Sequence, residues 1–364
     1  MVTLLVFVMV ILVMELVHSS QVQSISSEFL KIQHLSTYIE ESALLKVEEI
    51  LYQDVEPPPR KQDLILEEDE ALVDQRSKNS DSYHDYWGAE PLVEKNGEFW
   101  VQSTIGDSEG KFNINSLVHP KTGQPLPLQM ELFEKLLKNL GVRSVDLPDV
   151  MAEVVDHIDT DTKGKFEKNV KNAPLGLLRE LLALKNIPRS LYNGHRYPSG
   201  ELSDADLGEE DFFADDVDTS FDDISEDDAP ADVPPFETQA FPQLEEWKEL
   251  GIRPGLKDVL TVYGSGSINL NTAPLALLEV IFDGRDTAIE IIKARKKAPF
   301  NAMDQVMQIT GANAGKKYEA LLGFTSEYFD VTLRIQRGNT SLAKHAVMRR
   351  SGSSVFTLFK APLI

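Results

Sequence analysis

MVTLLVFVMVILVMELVHSSQVQSISSEFLKIQHLSTYIEESALLKVEEIL, residues 1–51, is the stretch on which the rest of the chain depends. Residues 1–14 are apolar apart from Thr3, Glu15 follows, and polarity rises from His18. Beyond it Val22, Ile25, Phe29, Ile32, Leu35, Ile39, Ala43, Val47 and Ile50 recur at steps of three or four, the spacing of one helix face. No Gly or Pro interrupts the run until Pro57, Pro58 and Pro59. One helix of roughly 75 Å is expected, at about 1.5 Å per residue. Its first third suits a bilayer, and the rest suits packing along a domain. A secretory signal should carry a basic n-region and a small-residue cleavage site, but no Lys or Arg precedes Lys31 and no Ala-x-Ala pattern follows the run. The run also falls short of the roughly 20 apolar residues of an ordinary anchor. Glu15 stands where such a helix would end, at the bilayer edge or beside another subunit's cation.

At 364 residues, with 42% hydrophobic residues, the chain holds two modest domains plus a helical stalk. Its net charge of -23 opposes a general affinity for nucleic acid or anionic lipid. The absence of cysteine removes disulfides, thiolate catalysis and Cys-based zinc sites together. The seven histidines are scattered without His-x-x-x-His spacing, and neither a Gly-x-Ser-x-Gly elbow nor a P-loop occurs. The chemistry therefore points away from an enzyme.

Residues 54–86 read as a Pro-led, charged connector with one short helix over 65–75. A β-hairpin is expected from strands 98–105 and 111–115, turning through Gly106, Asp107 and Gly110. Helical spacing follows at 128–140, closed by Gly141, then at 149–158 and 175–184. Residues 201–232 hold fifteen Asp or Glu and no Lys or Arg, a composition whose self-repulsion favours a solvated loop. Order is expected to resume near Phe241, with short strands at 259–263 and 267–270 and helices after Pro274 and over 288–295. From Glu327 the period changes to two: Phe329, Val331, Leu333 and Ile335 alternate, Gly338-Asn339 turns, and two more strands follow. The fold class is α+β, one antiparallel sheet built from both ends of the chain with a helical domain inserted between them. The repeat Ala173-Pro174-Leu175 and Ala273-Pro274-Leu275, with the pair Asn113-Ile114-Asn115 and Asn269-Leu270-Asn271, reads as architecture.

Together, the apolar helix, Gly110-Lys111-Phe112-Asn113-Ile114-Asn115, Asp156-His157-Ile158-Asp159-Thr160-Asp161, Asn172-Ala173-Pro174-Leu175, Tyr263 to Pro274, Arg295, Pro299-Phe300 and Tyr328-Phe329 resemble the K-type minor pseudopilins of the bacterial type II secretion system. The resemblance covers nearly the whole chain in order, and 201–232 looks like an insertion. It implies a membrane-inserted pilin helix (1–53), a connector (54–96), a pilin-like sheet (97–116 and 325–364) and a large SAM-like or helix-hairpin-helix-like insert (117–324). It further implies a subunit of the pseudopilus tip in the inner membrane, with its bulk in the periplasm, a type IV pilus tip minor pilin being the close alternative within the class. The implied partners are I- and J-type minor pseudopilins, the other pseudopilins and the inner-membrane assembly platform, reached through the face Val22, Ile25, Phe29, Ile32 and Leu35 and through the sheet edges. Such subunits are cut after a Gly and methylated, so Met1 is either the processed end or a late start. Counted from Met1, position five is Leu5, where most pilins carry a Glu and K-type subunits do not. A tip subunit has no neighbour above it to neutralise that carboxylate, and an unpaired charge in an apolar layer is costly.

Asp156, Asp159, Asp161 and Glu167 form an oxygen-rich cluster suited to Ca²⁺, with Asp149 and Glu153 as extra ligands. The resemblance raises this calcium reading, and the pattern is not that of an EF-hand. Residues 267–282, 288–295 and 299–300 also look like the helix-hairpin-helix repeats of DNA-uptake receptors, which present backbone N–H groups to phosphate. Asp283-Gly284-Arg285-Asp286 and Thr310-Gly311-Ala312-Asn313 stand at the two hairpins, and the acids in the first oppose a phosphate there.

Overall fold

A computed structural model describes residues 2–55, 80–89, 91–161, 163–168, 170–196, 252–311, 315–338, 340–352 and 354–362. The expectations for 65–75, 201–232 and 241–251 lie outside the described residues. Helix α1 runs Val2–Val55, as an uninterrupted sequence free of Gly and Pro should. Ile39, Ala43, Leu44, Val47 and Leu51 are buried under the chain's own sheet. No helix is long and apolar enough to cross a membrane among the residues whose side chains are described, which leave out 2–8 and 10–12.

The sheet has five antiparallel strands, β1 Leu92–Asn96, β2 Phe99–Asp107, β3 Tyr328–Arg337, β4 Thr340–Ser351 and β5 Ser354–Pro362, in the order β1-β2-β3-β4-β5. Phe329, Val331, Leu333 and Ile335 alternate inward with Val101 and Ile105 from β2 and Ala346 and Met348 from β4, so one face is apolar at period two. Trp87 closes this core, edge-on to Phe329 at 5.2 Å between centroids. Each of the three hairpins turns in two residues with a glycine at positive φ in the first position: Gly97 (φ 62), Gly338 (φ 52) and Gly352 (φ 58). This arrangement matches strand twist.

The expected hairpin of 98–105 with 111–115 is corrected. β2 pairs with β1 on one side and β3 on the other, which leaves no edge for 111–115. Phe112 and Asn113 instead pair in parallel with Leu260 and Thr261, and Ile114–Leu117 is a 3₁₀ turn. Phe112, Ile114 and Leu117 are sunk in a second apolar core. That core is made by α2 Pro127–Asn139, α3 Leu147–Ile158, α4 Leu275–Ile281, α5 Arg285–Arg295 and α6 Met303–Thr310. Phe112 stacks on Phe133 of α2 at 5.9 Å. The helix expected over 175–184 is a 3₁₀ turn, Leu178–Ala183, because Glu180 Oε1 accepts the N–H groups of Gly176 and Leu177 (2.8 Å each) and tightens the start.

The two asparagine motifs do one job twice. Asn113 and Asn269 each accept the N–H two residues on, from Asn115 and Asn271 (3.0 Å each). Asn115 then clasps Leu175 through both its N–H and C=O (2.8 and 3.0 Å), and Asn271 clasps Phe300 in the same way (2.7 and 2.9 Å). Structural equivalence therefore aligns Ala173-Pro174-Leu175 with Ala298-Pro299-Phe300, not with Ala273-Pro274-Leu275. The helical domain thus uses one device twice, a bidentate amide that pins the segment after α2-α3 and again the segment after α4-α5.

Both connections between sheet and helical domain converge on Asp107 at the end of β2. Its Oδ2 accepts Asn269 Nδ2 (2.9 Å), Thr272 Oγ1 (2.5 Å) and Ser326 Oγ (2.6 Å), and its Oδ1 accepts Glu109 N (2.8 Å). Burial pushes this carboxyl up to about 6, against the hydrogen bonds from Ser326 and Thr272 that pull it down. A free aspartate titrates at about 4, so the folded chain holds this proton more tightly than the unfolded chain does. The contribution is complete below about pH 4 and is lost as pH rises through about 6. Denaturant unfolding across that window should show wild type losing about 3 kcal/mol relative to Asp107→Asn. A pH-independent difference would contradict the assignment.

Candidate functional site

Helix α3 ends at Ile158, and Asp159 leaves it in extended backbone (φ −74, ψ 175). The loop 159–172 returns so that Ala173 N donates to His157 O (3.3 Å). Within it, ligand atoms of Asp159, Asp161 and Glu167 all lie within 4.8 Å of one another. Asp159 is buried, and its Oδ1, Glu167 Oε1 and Asn172 Oδ1 are buried without hydrogen-bond partners. Asn172 is held in left-handed backbone (φ 49) and donates through Nδ2 to Asp161 O (2.8 Å) and Glu167 Oε2 (3.3 Å). Burial first, then the charges of Asp161, Glu167 and Asp156, push the Asp159 carboxyl up to about 6.

Three of the four expected ligands thus come together. Asp156 does not join them: its Oδ2 accepts Phe166 N (2.6 Å), and its carboxylate lies so close to Gly164 that any side chain there would overlap it. It positions the loop. The extra ligands proposed from sequence are also corrected. Asp149 is paired with Lys165, and Glu153 accepts Lys185 N and Asn186 N (2.8 Å each). Asn172 was missed because an amide oxygen eleven residues beyond an aspartate carries no local signal.

The donor set is all oxygen, mixing carboxylate and amide, which fits a hard cation such as Ca²⁺ rather than zinc. Buried oxygens without donors are costly unless a cation or water satisfies them. The second acidic group, Asp54, Asp81 and Asp85, already holds a cation of the protein's own. Arg350 donates to Asp54 Oδ2 (2.8 Å), to Asp81, and to Ser326 O (3.0 Å). It is an ion-pair junction.

Of the other residues singled out in the sequence, Met1 lies outside the described residues. Leu5 is on α1 with its side chain outside them, as are the side chains of Val22, Ile25, Phe29 and Ile32. Glu15 and Leu35 are exposed. The continuation of that face, Ile39, Ala43 and Val47, is covered by the chain's own sheet and not open to a partner. At the first hairpin Asp283 (φ 51) pairs with Lys135 (2.7 Å) and Arg285 pairs with Glu279 (2.6 Å), while Asp286 is exposed.

Residues 110–196 match the family described as Type II secretion system (T2SS), protein K. The fold as a whole is similar to that of a chain in the crystal structure of the GspK-GspI-GspJ complex from the enterotoxigenic Escherichia coli type 2 secretion system, with a TM-score of 0.54 and 14% identity over 91% of this chain and 99% of that one. No curated protein sequence matches the chain.

Proposed function

With residues 110–196 belonging to the type II secretion protein K family, we propose that the chain is a minor pseudopilin that sits at the tip of the pseudopilus. There it helps to start the assembly of the fibre and caps it. The role is structural, not enzymatic. One observation carries the tip position. Arg350 ties the C-terminal end of α1, through Asp54, to Asp81 and to Ser326, where the helical domain rejoins the sheet. The helical domain is therefore fixed at the end of the body remote from the N-terminus of α1. With the apolar N-terminal run in the inner membrane, the domain covers the far end in the periplasm, where it leaves no room for a further subunit above.

I- and J-type pseudopilins are the partners this reading requires, in keeping with the complex in which the similar fold occurs. The test is co-purification of the full chain from detergent with I- and J-type pseudopilins of the same genome, with duplex DNA as a control ligand. A stable ternary complex without DNA retention is expected. Salt-sensitive DNA binding with no complex would overturn the reading.

Calcium at Asp159, Asp161, Glu167 and Asn172 would close the loop 159–172 and so hold Leu175 against Asn115. At a hundredfold excess over its Kd, calcium should raise stability by about 2.7 kcal/mol. Chelation and Asp159→Ala should each abolish that gain in a thermal melt. An equal calcium response in Asp159→Ala would remove the site from consideration.

A further inference from the structure

We propose that the free edge of β5 is a docking site for an extended segment of another polypeptide, one that alternates apolar side chains with Lys or Arg and pairs with β5 as a further strand. No described residue pairs with the outer side of β5, which ends the sheet. The strand reads SVFTLFKAP, with Lys360 its single charge. Phe356 and Leu358 are 54% and 47% exposed. A bulge opposite Val347 and Met348 of β4 leaves Leu358 outside the pairing register, between Thr357 and Phe359. The opposite edge is built otherwise: β1 is five residues long and carries Glu94 and Lys95, charges that discourage strand addition. A longer, apolar edge such as β5 is a template for one more strand.

The surroundings of the edge set the chemistry of the occupant. The flank of α1 forms one wall of a groove lined by Leu45, Glu48 and Glu49 on the helix and by Ser354, Val355 and Phe356 on the strand. Val355, in register with Arg350, belongs to the apolar core under α1. Phe356, in register with Arg349, faces the other way. Glu49 accepts Gln53 Nε2 (2.9 Å), and among the described residues neither acid is paired with a cation. A segment laid along β5 would turn every second side chain toward Glu48 and Glu49, where Lys or Arg is favoured. The alternate ones would lie beside Phe356, where apolar side chains are favoured. Backbone hydrogen bonds would supply the pairing, and the alternation would supply the selectivity.

A second copy of this chain fits the edge poorly. Two β5 strands that pair antiparallel are related by a two-fold axis normal to the sheet. That axis reverses α1 and sends the two apolar N-terminal runs in opposite directions, so one membrane could not hold both. The inference uses the pseudopilin reading only for this exclusion and otherwise goes beyond it.

The probe is a fluorescent peptide of alternating Val and Lys, titrated by anisotropy into the full chain in detergent. One control peptide carries Glu in place of Lys, and another carries Pro in place of a central Val. Saturable binding of the Val-Lys peptide is expected, about tenfold weaker with Glu and lost with Pro, which keeps the charge but cannot complete the ladder. Phe356→Ser together with Leu358→Ser should weaken binding about tenfold at an unchanged unfolding midpoint. Glu48→Lys together with Glu49→Lys should reverse the preference between the Lys and Glu peptides. Equal binding of the Pro peptide would overturn the inference, leaving only a general attraction to an acidic protein, and so would no binding at all. A dimer of this chain that the Phe356 and Leu358 substitutions dissolve would give the edge to a second copy and overturn it. Loss of I- and J-type co-purification in that same variant would give the edge to a neighbouring subunit and overturn it as well. Failure of the unmutated chain to co-purify with those pseudopilins would instead overturn the pseudopilin reading.

Discussion

Arg350→Ala should cost about 3–5 kcal/mol of stability, the usual penalty for stranding buried carboxylates by removing their cation. The Arg350 side chain is 8% exposed, and its partners Asp54 and Asp81 are 16% and 6% exposed. Burial alone would lower the Arg350 pKa. The Asp81 and Asp54 carboxylates outweigh it and hold the guanidinium charged. The cation also lies over the Phe329 ring at 4.8 Å, so truncation removes packing as well as charge. Arg350→Lys keeps the charge but cannot fork between two carboxylates and a carbonyl, so an intermediate loss is expected. Thermal or urea unfolding of the full chain in detergent provides the measurement. A loss for Arg350→Ala below about 1 kcal/mol, the range of an exposed pair, would show that the junction is solvated.

Asn269→Ala should be the second most damaging change. Asn269 is fully buried, and its Nδ2 donates to Asp81 O, Asp107 Oδ2 and Ser326 Oγ (2.9 Å each) while its Oδ1 accepts Asn271 N (3.0 Å). Removing it strands the Asp81 carbonyl and the Asn271 N–H, each worth about 1–3 kcal/mol when left unmet, and takes one of its donors from the Asp107 carboxylate. A net loss of about 3 kcal/mol is reasonable after partial rehydration. The internal repeat supplies its own control. Asn113 holds the equivalent place but is half-buried, and among the described residues its side chain donates to Gly264 O and accepts Asn115 N (3.0 Å each). Asn113→Ala should cost about 1 kcal/mol. Equal losses at the two positions would mean that the second copy is not the one fastened to the sheet.

Much of this fold was legible because its signals are periodic. Phe329 to Ile335 alternate, and Met130 to Leu140 repeat at helical spacing. The glycines at 106 and 110 suggest a hairpin that does not form there, because β2 is already paired on both sides. Gly97, in a two-residue turn after a short charged strand, was the better signal. Charged residues at Glu94 and Lys95 suit an edge strand but hide its alternation. Phe112 to Asn115 looked like a strand because it is extended and apolar. What it pairs with lies nearly 150 residues away, and spacing cannot reveal that.

The candidate site was legible to the extent that carboxylates stood close in sequence. Asp159, Asp161 and Glu167 share one loop, so their meeting follows from chain proximity. Which carboxylates are spent elsewhere does not follow. Asp156 and Glu153 are consumed by backbone N–H groups, and Asp149 by Lys165.

The tip position is tested most directly by gold labelling of sheared pseudopili that contain this subunit with an epitope at its C-terminus. One label at a single end of each fibre is expected, with fibres becoming scarce when the gene is deleted. Labels spaced along the fibre shaft would contradict the tip position, because a helical domain fixed at the far end of the body could not be accommodated between stacked subunits.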